Sequence, residues 1–301
     1  MKSAILKTLA YADIFAFPLA QAEIWSLLIW KNLKKPSKKE FNKILQTLLK
    51  NKTIKEKQGY FYLNNREKLV KKRQELNNIN QDKLKLAKKF ATKIKFIPFI
   101  KTILITGALA VKNAQPEDDI DLFIITSNKR LWLTRFLCIL IAELFGIRRR
   151  PNQKYIKNKI CLNLFLTEDN LNIFQKNQNL FTAHEIVQAK PILNKDKTYQ
   201  QFLNANLWVK NYLPNSIKTQ SAKLKTQNHN LNFKTKKSYL LSTIYYLLNS
   251  LEHFAYKLQF VYMSPKKTIE KVSPTFAFFH PINRRKRILT YYTRKIHTLG
   301  V

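Results

Sequence analysis

The spacing of apolar and polar positions divides the chain into segments of different period. Over 37–51, "SKKEFNKILQTLLKN", the residues Phe41, Ile44, Leu45, Leu48 and Leu49 recur at i, i+3, i+4, i+7 and i+8, the period of a helix with one buried face. Ser37, with Glu40 three positions on, reads as a capping box at its start. Two more apolar-periodic segments precede it, over 3–13 and 20–32, and "TIKEKQGYFYL" follows as two short strand-like runs around Gly59. Residues 66–96 are polar and highly charged, with the weak periodicity of one or two connecting helices.

The character changes near residue 101. "KTILITGALA" predicts a strand of buried type over 103–106 that runs into Gly107, and "DIDLFIIT" predicts a second over 119–126. "RLWLTRFLCILIAELFG" reads as a buried helix ending at Gly146, and "KICLNLFL" as a third strand. In that strand Ile160, Leu162, Leu164 and Leu166 alternate with Cys161, Asn163 and Phe165 on the other face. From 172 onward the pattern is helical, in "LFTAHEIVQAK" and "TYQQFLNANLWVKNYL". The stretch 214–237 has almost no hydrophobic content and reads as a mobile basic linker, and a helix over about 238–262 follows it. The expectation is a multidomain α+β or α/β protein with units at 1–65, 66–100, 101–196 and 197–301.

Three helices followed by a hairpin, over 1–65, resemble a winged helix-turn-helix. Its third helix would expose Lys38, Lys39, Lys43 and Lys50, which suit phosphate contact, while only Gln46 offers bidentate reading of a base edge. A non-specific or purely structural role is therefore expected.

Charge sharpens the picture. The chain carries 55 Lys and Arg against 18 Asp and Glu, a formal net charge of +37. Clustered cations favour a polyanionic partner, RNA or DNA, through counterion release. An AT-rich coding bias, with abundant Lys, Asn and Ile and only four Gly, accounts for the same composition, and both readings stand. Between 197 and 301 there are 18 Lys and Arg against Glu252 and Glu270, so a polyanion contact is expected in that region, where "RRKR" at 284–287 is the densest patch. Cys138 and Cys161 sit among apolar residues with no metal-binding spacing and read as reduced thiols of a cytoplasmic protein. The N-terminus lacks the pattern of a signal peptide. The apolar stretches 131–147 and 239–263 are interrupted by Arg135 and Glu143, and by Glu252 and Lys257, so no integral span is expected; the second also suits contact with a membrane surface.

In so basic a chain, four acids, Glu117, Asp118, Asp119 and Asp121, fall within "PEDDIDLFII". Asp119 and Asp121 are two apart on a predicted strand, so both carboxylates project from one face and can share a cation such as Mg²⁺. They follow the glycine turn "TGALA", whose backbone N–H groups suit phosphate. The stretch "TGALAVKNAQPEDDIDLFII" resembles the signature of the DNA polymerase β-type nucleotidyltransferase superfamily. The resemblance implies that Asp119 and Asp121 hold Mg²⁺ or Mn²⁺, and that Thr106, Gly107 and Ala108 form the nucleotide-binding turn. It further implies an NTP as substrate, its nucleoside monophosphate moving to an acceptor hydroxyl.

The chain departs from that pattern twice. Ala108 stands where a small hydroxyl residue is usual, and the third carboxylate position falls on Asn163, which cannot act as a base. Glu168 and Asp169 would substitute if the third strand were short. A catalytically degenerate scaffold that binds nucleic acid is thus the alternative reading. "HEIVQ" at 184–188 lacks the second histidine of a zinc-protease helix. His184 and Glu185 read as helix packing, or as the acceptor side of the site. Arg148, Arg149 and Arg150 read as a triphosphate contact or a solvated basic loop.

Overall fold

The computed structural model describes residues 1–31, 35–151, 153–217, 238–264, 271–279 and 283–301. The fold is mixed α+β, with a three-stranded antiparallel sheet and a six-stranded mixed sheet among the described residues.

The N-terminal part consists of α1 (Lys2–Asp13), a short β1 (Leu19–Ala20), α2 (Gln21–Ser26), α3 (Lys38–Lys50) and the hairpin β2 (Ile54–Lys57) and β3 (Tyr60–Leu63). Helix α3 begins where expected: the Ser37 hydroxyl accepts from the Glu40 N–H, and Phe41, Leu45 and Leu48 are buried. Lys38, Lys39, Lys43, Gln46 and Lys50 are exposed. The second helix is far shorter than the expected 20–32. Glu23 caps it by accepting from Ala20 N, and it stops at Ser26. Beyond that point the apolar residues serve docking instead of periodicity: Leu28 and Ile29 are buried, Ile29 N–H donates to Thr8 Oγ1, and Trp30 N–H donates to Tyr212 O.

A single helix, α4 (Lys68–Ile94), spans the connecting region. Arg73 ties it to the N-terminal unit through a two-pronged pair with Glu23, at 2.7 and 2.8 Å, while its guanidinium lies over Phe17 and Tyr60. The large sheet follows, built from β4 (Ile100–Ile105), β5 (Ile120–Thr126), β6 (Ile160–Thr167), β7 (Lys190–Asn194), β8 (Lys271–Val272) and β9 (Phe276–Phe278) in the order β7-β4-β5-β6-β9-β8. β4 and β5 are antiparallel, and β5 and β6 are parallel across α6 (Leu131–Leu144). Between β4 and β5 lies a one-turn helix, α5 (Gly107–Ala110).

Two expectations fail here. Lys190–Asn194, read as part of a helical stretch, is an edge strand on β4, and the C-terminal third, read as helical, also supplies β9 against β6 and β8 beyond it. β7 is short, carries Pro191 and pairs on one side, so no alternation marks it. The remaining helices are α7 (Leu180–Gln188), α8 (Thr198–Ala205), α9 (Ser238–Met263) and α10 (Asn283–Thr298). Most of the expected linker at 214–237 lies outside the described residues.

Strand alternation splits the core in two. Leu104, Phe123, Ile125 and Leu166 face α1, α7 and α10, while Ile103, Ile105, Leu122, Ile124 and Phe165 face α4 and α6. The N-terminal helices thus share one core with the central sheet. No described helix is long and apolar enough to cross a membrane.

Candidate functional site

Asp119 directly precedes β5 and Asp121 is its second residue; with Cys161 at the start of β6, their ligand atoms all lie within 4.8 Å of one another. The register explains why. Ile120 pairs with Ile160 and Asp121 with Cys161, and a shift after Leu122 pairs Phe123 with Leu164, leaving Asn163 as the extra residue of a bulge. The simple alternation expected for this strand therefore breaks at Asn163. Its amide Nδ2 donates to Asp121 Oδ1 at 2.5 Å. Strand β6 runs on to Thr167, which leaves Glu168 at the far end of the sheet, facing Asn128 N–H and Lys101. It cannot replace a third carboxylate, and neither can the adjacent Asp169.

The glycine turn is built against the same carboxylate. Gly107 has φ +63°, and a Cβ there would lie 2.6 Å from Asp121 Oδ2. Thr106 N–H donates to Asp121 O at 3.1 Å, tying the turn to β5. Helix α4 holds the acidic loop from behind. The buried Lys83 ammonium donates to Pro116 O, Asp118 O and Asn158 Oδ1 at 3.0, 2.6 and 2.8 Å, and Asn80 exchanges hydrogen bonds with the backbone of Ala114. Burial lowers the Lys83 pKa, and the charges of Asp118 and Asp119 oppose that shift.

Arg149 enters the site where the sequence suggested a triphosphate contact or a solvated loop. Its Nη1 donates to Asp119 Oδ2 at 2.6 Å and to Cys161 Sγ at 3.4 Å, while Arg148 and Arg150 both pair with Glu143. One acid is thus neutralised by a cation from the chain itself. Burial, with the charge of Asp119 added, raises the Asp121 carboxyl to about 7. Burial and the same two carboxylates push the Cys161 thiol well up, so it remains protonated. Two carboxylates fit a hard divalent cation such as Mg²⁺ or Mn²⁺; a protonated thiol does not.

A cavity of about 250 Å³ opens beside this cluster. Gly107, Ala108 and Asp121 lie at its wall together with Glu185 and Arg284, and Tyr11, Phe15, Phe17, Ile173, Phe181 and Phe278 make much of the remainder apolar. His184 also lines it, but in a packing role: the ring stacks on Tyr11 at 3.9 Å, Nδ1 bonds Leu180 O at 2.9 Å, and burial lowers its pKa to about 4. Glu185 is the other carboxyl among the described lining residues, raised by burial, a shift that the charge of Arg284 opposes. Of the "RRKR" patch, Arg284 and Arg285 turn into the cavity, the latter donating to Asn177 Oδ1 at 3.2 Å.

Thr106, Gly107, Ala108, Asp119, Asp121 and Asn163 are thus brought together, and Glu168 and Asp169 are excluded. The sequence reading missed the placement of Cys161 and the pairing of Arg149 with Asp119. Cys161 was within reach of it, lying two residues before Asn163 on one strand; the Arg149 pair depends on the path of the loop after α6 and had no sequence signal. Comparison with protein-family models, curated proteins and solved structures finds no match to this chain.

Proposed function

We propose that the chain is a Mg²⁺-dependent nucleotidyltransferase of the DNA polymerase β type, with a winged-helix-like N-terminal unit packed on a nucleotidyltransferase-like sheet. The observation that carries this reading is the convergence of Asp119 just before β5, Asp121 on that strand, Asn163 from its parallel neighbour, and the Gly107 turn packed on Asp121. Asp119 and Asp121 would hold the ion, which neutralises triphosphate charge when bound. Gly107 and Ala108 would offer backbone N–H groups to the phosphates, with Thr106 N–H holding the turn on β5. The acceptor oxygen forms a bond to the α-phosphorus as the bond to pyrophosphate breaks. Asn163 cannot take the hydroxyl proton, so Glu185, the remaining carboxyl among the described lining residues, is the candidate base. Arg149 must leave Asp119 for the ion to bind, and triphosphate is a suitable second partner for it.

A second reading is favoured by two specific contacts. Arg149 on Asp119 and Asn163 on Asp121 already satisfy the acid pair, as expected of a degenerate scaffold that binds RNA or DNA through its basic surfaces without catalysis. Pyrophosphate release from each NTP, with RNA and with small-molecule extract as acceptors, separates the two. The first reading predicts Mg²⁺-dependent release that is lost in Asp119→Asn and Asp121→Asn and falls in Glu185→Gln. Absence of release with every acceptor, while nucleic acid still binds, supports the scaffold.

A further inference from the structure

Helix α9 is amphipathic in the reverse sense of a helix packed on a core. Its inward side sets polar groups beside the buried Ala255 and the partly buried Tyr256 and Met263. Asn249 Oδ1 accepts from Arg130 Nη1 at 2.8 Å. The two oxygens of Glu252 accept the backbone N–H groups of Trp132 and Leu133, both at 2.8 Å, and so cap the first turn of α6. Gln259 accepts from Arg135 at 2.5 Å and donates to Trp132 O at 2.8 Å. The opposite side is apolar: Ile244, Leu247, Leu251, Phe254, Leu258 and Val261 recur at i, i+3, i+7, i+10, i+14 and i+17, and all are exposed, Phe254 at 64% and Val261 at 70%. A surface helix ordinarily turns such a stripe to the core and its polar residues to water. Here the polar residues are consumed by α6, and the apolar stripe is left facing outward, a larger feature than scattered exposed side chains explain.

The surroundings of the stripe are cationic. Lys257 is exposed on α9 itself, and Lys129 bonds the Tyr245 hydroxyl. Arg150, within electrostatic reach of Tyr262, pairs with Glu143. The one acid of α9, Glu252, is turned inward onto α6. Tyr245, Tyr246 and Tyr262 are exposed, and such rings suit the level of lipid headgroups. A second copy of the chain on this face would bring two cationic surroundings together, which like-charge repulsion disfavours.

We propose that the outward face of α9 docks in the plane of an anionic lipid bilayer, with the stripe from Ile244 to Val261 entering the headgroup boundary and the surrounding cations meeting the lipid phosphates and carboxylates. The inference is independent of the nucleotidyltransferase reading. It is tested by cosedimentation of the full chain with phosphatidylcholine vesicles, with and without phosphatidylserine, at low and at high salt. A protein of net charge +37 binds anionic surfaces by charge alone, so the deciding variant leaves the charge unchanged: Leu247→Ser with Phe254→Ser. The wild type is expected to bind phosphatidylserine vesicles and to retain part of that binding at high salt, and the double variant to bind roughly tenfold or more weakly at an unchanged melting temperature. Ile244→Ser with Val261→Ser, at the two ends of the stripe, is a second variant should the first fail to fold. Equal binding by wild type and both variants overturns the proposal, as does absence of vesicle binding, or a wild-type dimer that these substitutions dissociate.

Discussion

Replacing Gly107 by alanine tests how tightly the glycine turn and the acid pair are built onto each other. The backbone stays at φ +63°, where an L-residue costs roughly 1–2 kcal/mol. The new Cβ lies 2.6 Å from Asp121 Oδ2, and ordinary contact begins at 3.4 Å, so the carboxylate must retreat by about 0.8 Å (3.4 − 2.6). Retreat is resisted by the Asn163 amide at 2.5 Å, and overpacking of this kind costs about 1–3 kcal/mol. The single substitution should therefore cost roughly 2–5 kcal/mol, and a carboxylate moved by that distance should weaken or abolish any function that depends on it. Urea unfolding of the wild type, Gly107→Ala, Asp121→Ala and the double variant separates the two parts. With Asp121 truncated, the steric part vanishes and only the backbone cost of roughly 1–2 kcal/mol remains. An equal penalty in both backgrounds, within about 0.5 kcal/mol, would show that the turn and the carboxylate are not coupled and would refute the geometry.

Arg149→Met removes the cation from Asp119. Mg²⁺ alone should then bind more tightly and Mg²⁺ with NTP more weakly, read by calorimetric titration; no change in either would leave Arg149 without a role in the site. Lys83→Met strips three hydrogen bonds from the loop that presents the acids, and should cost about 1–3 kcal/mol in urea unfolding and lower NTP affinity in parallel. His184 is held neutral, with a pKa near 4 against 6.5 unfolded, so its contribution is complete above pH 6.5 and is lost as pH falls towards 4. The stability difference between wild type and His184→Phe should change across that window by on the order of 3 kcal/mol at most, and a pH-independent difference would contradict a buried neutral imidazole.

Local signals were the legible ones. Ser37 with the apolar spacing after it marked α3, the unbroken apolar run marked β5, and the acid pair ten or so residues past Gly107 marked the candidate site. What escaped depends on distant residues. β7 and β9 are short edge or near-edge segments whose strand character comes from pairing with β4 and β6. The 20–32 segment has helical spacing, yet its second half is claimed by Thr8 and Tyr212. The bulge at Asn163, the Lys83 clamp and the Arg149 pair all join residues more than ten positions apart. In α9 the apolar run interrupted by Glu252 and Lys257 left open which side faces inward. Only the hydrogen bonds of Asn249, Glu252 and Gln259 to α6 revealed which side faces inward.

The central claim is that Asp119 and Asp121 form a metal-dependent nucleotide site, and thermal unfolding with each NTP, with and without Mg²⁺, tests it without knowledge of the acceptor. Ligand at about 100 times its Kd stabilises by roughly 2.7 kcal/mol. The account predicts a Mg²⁺-dependent rise in melting temperature with at least one NTP, lost in Asp119→Asn and in Asp121→Asn. A folded wild-type protein whose melting temperature is unmoved by every NTP, with or without Mg²⁺, would contradict it.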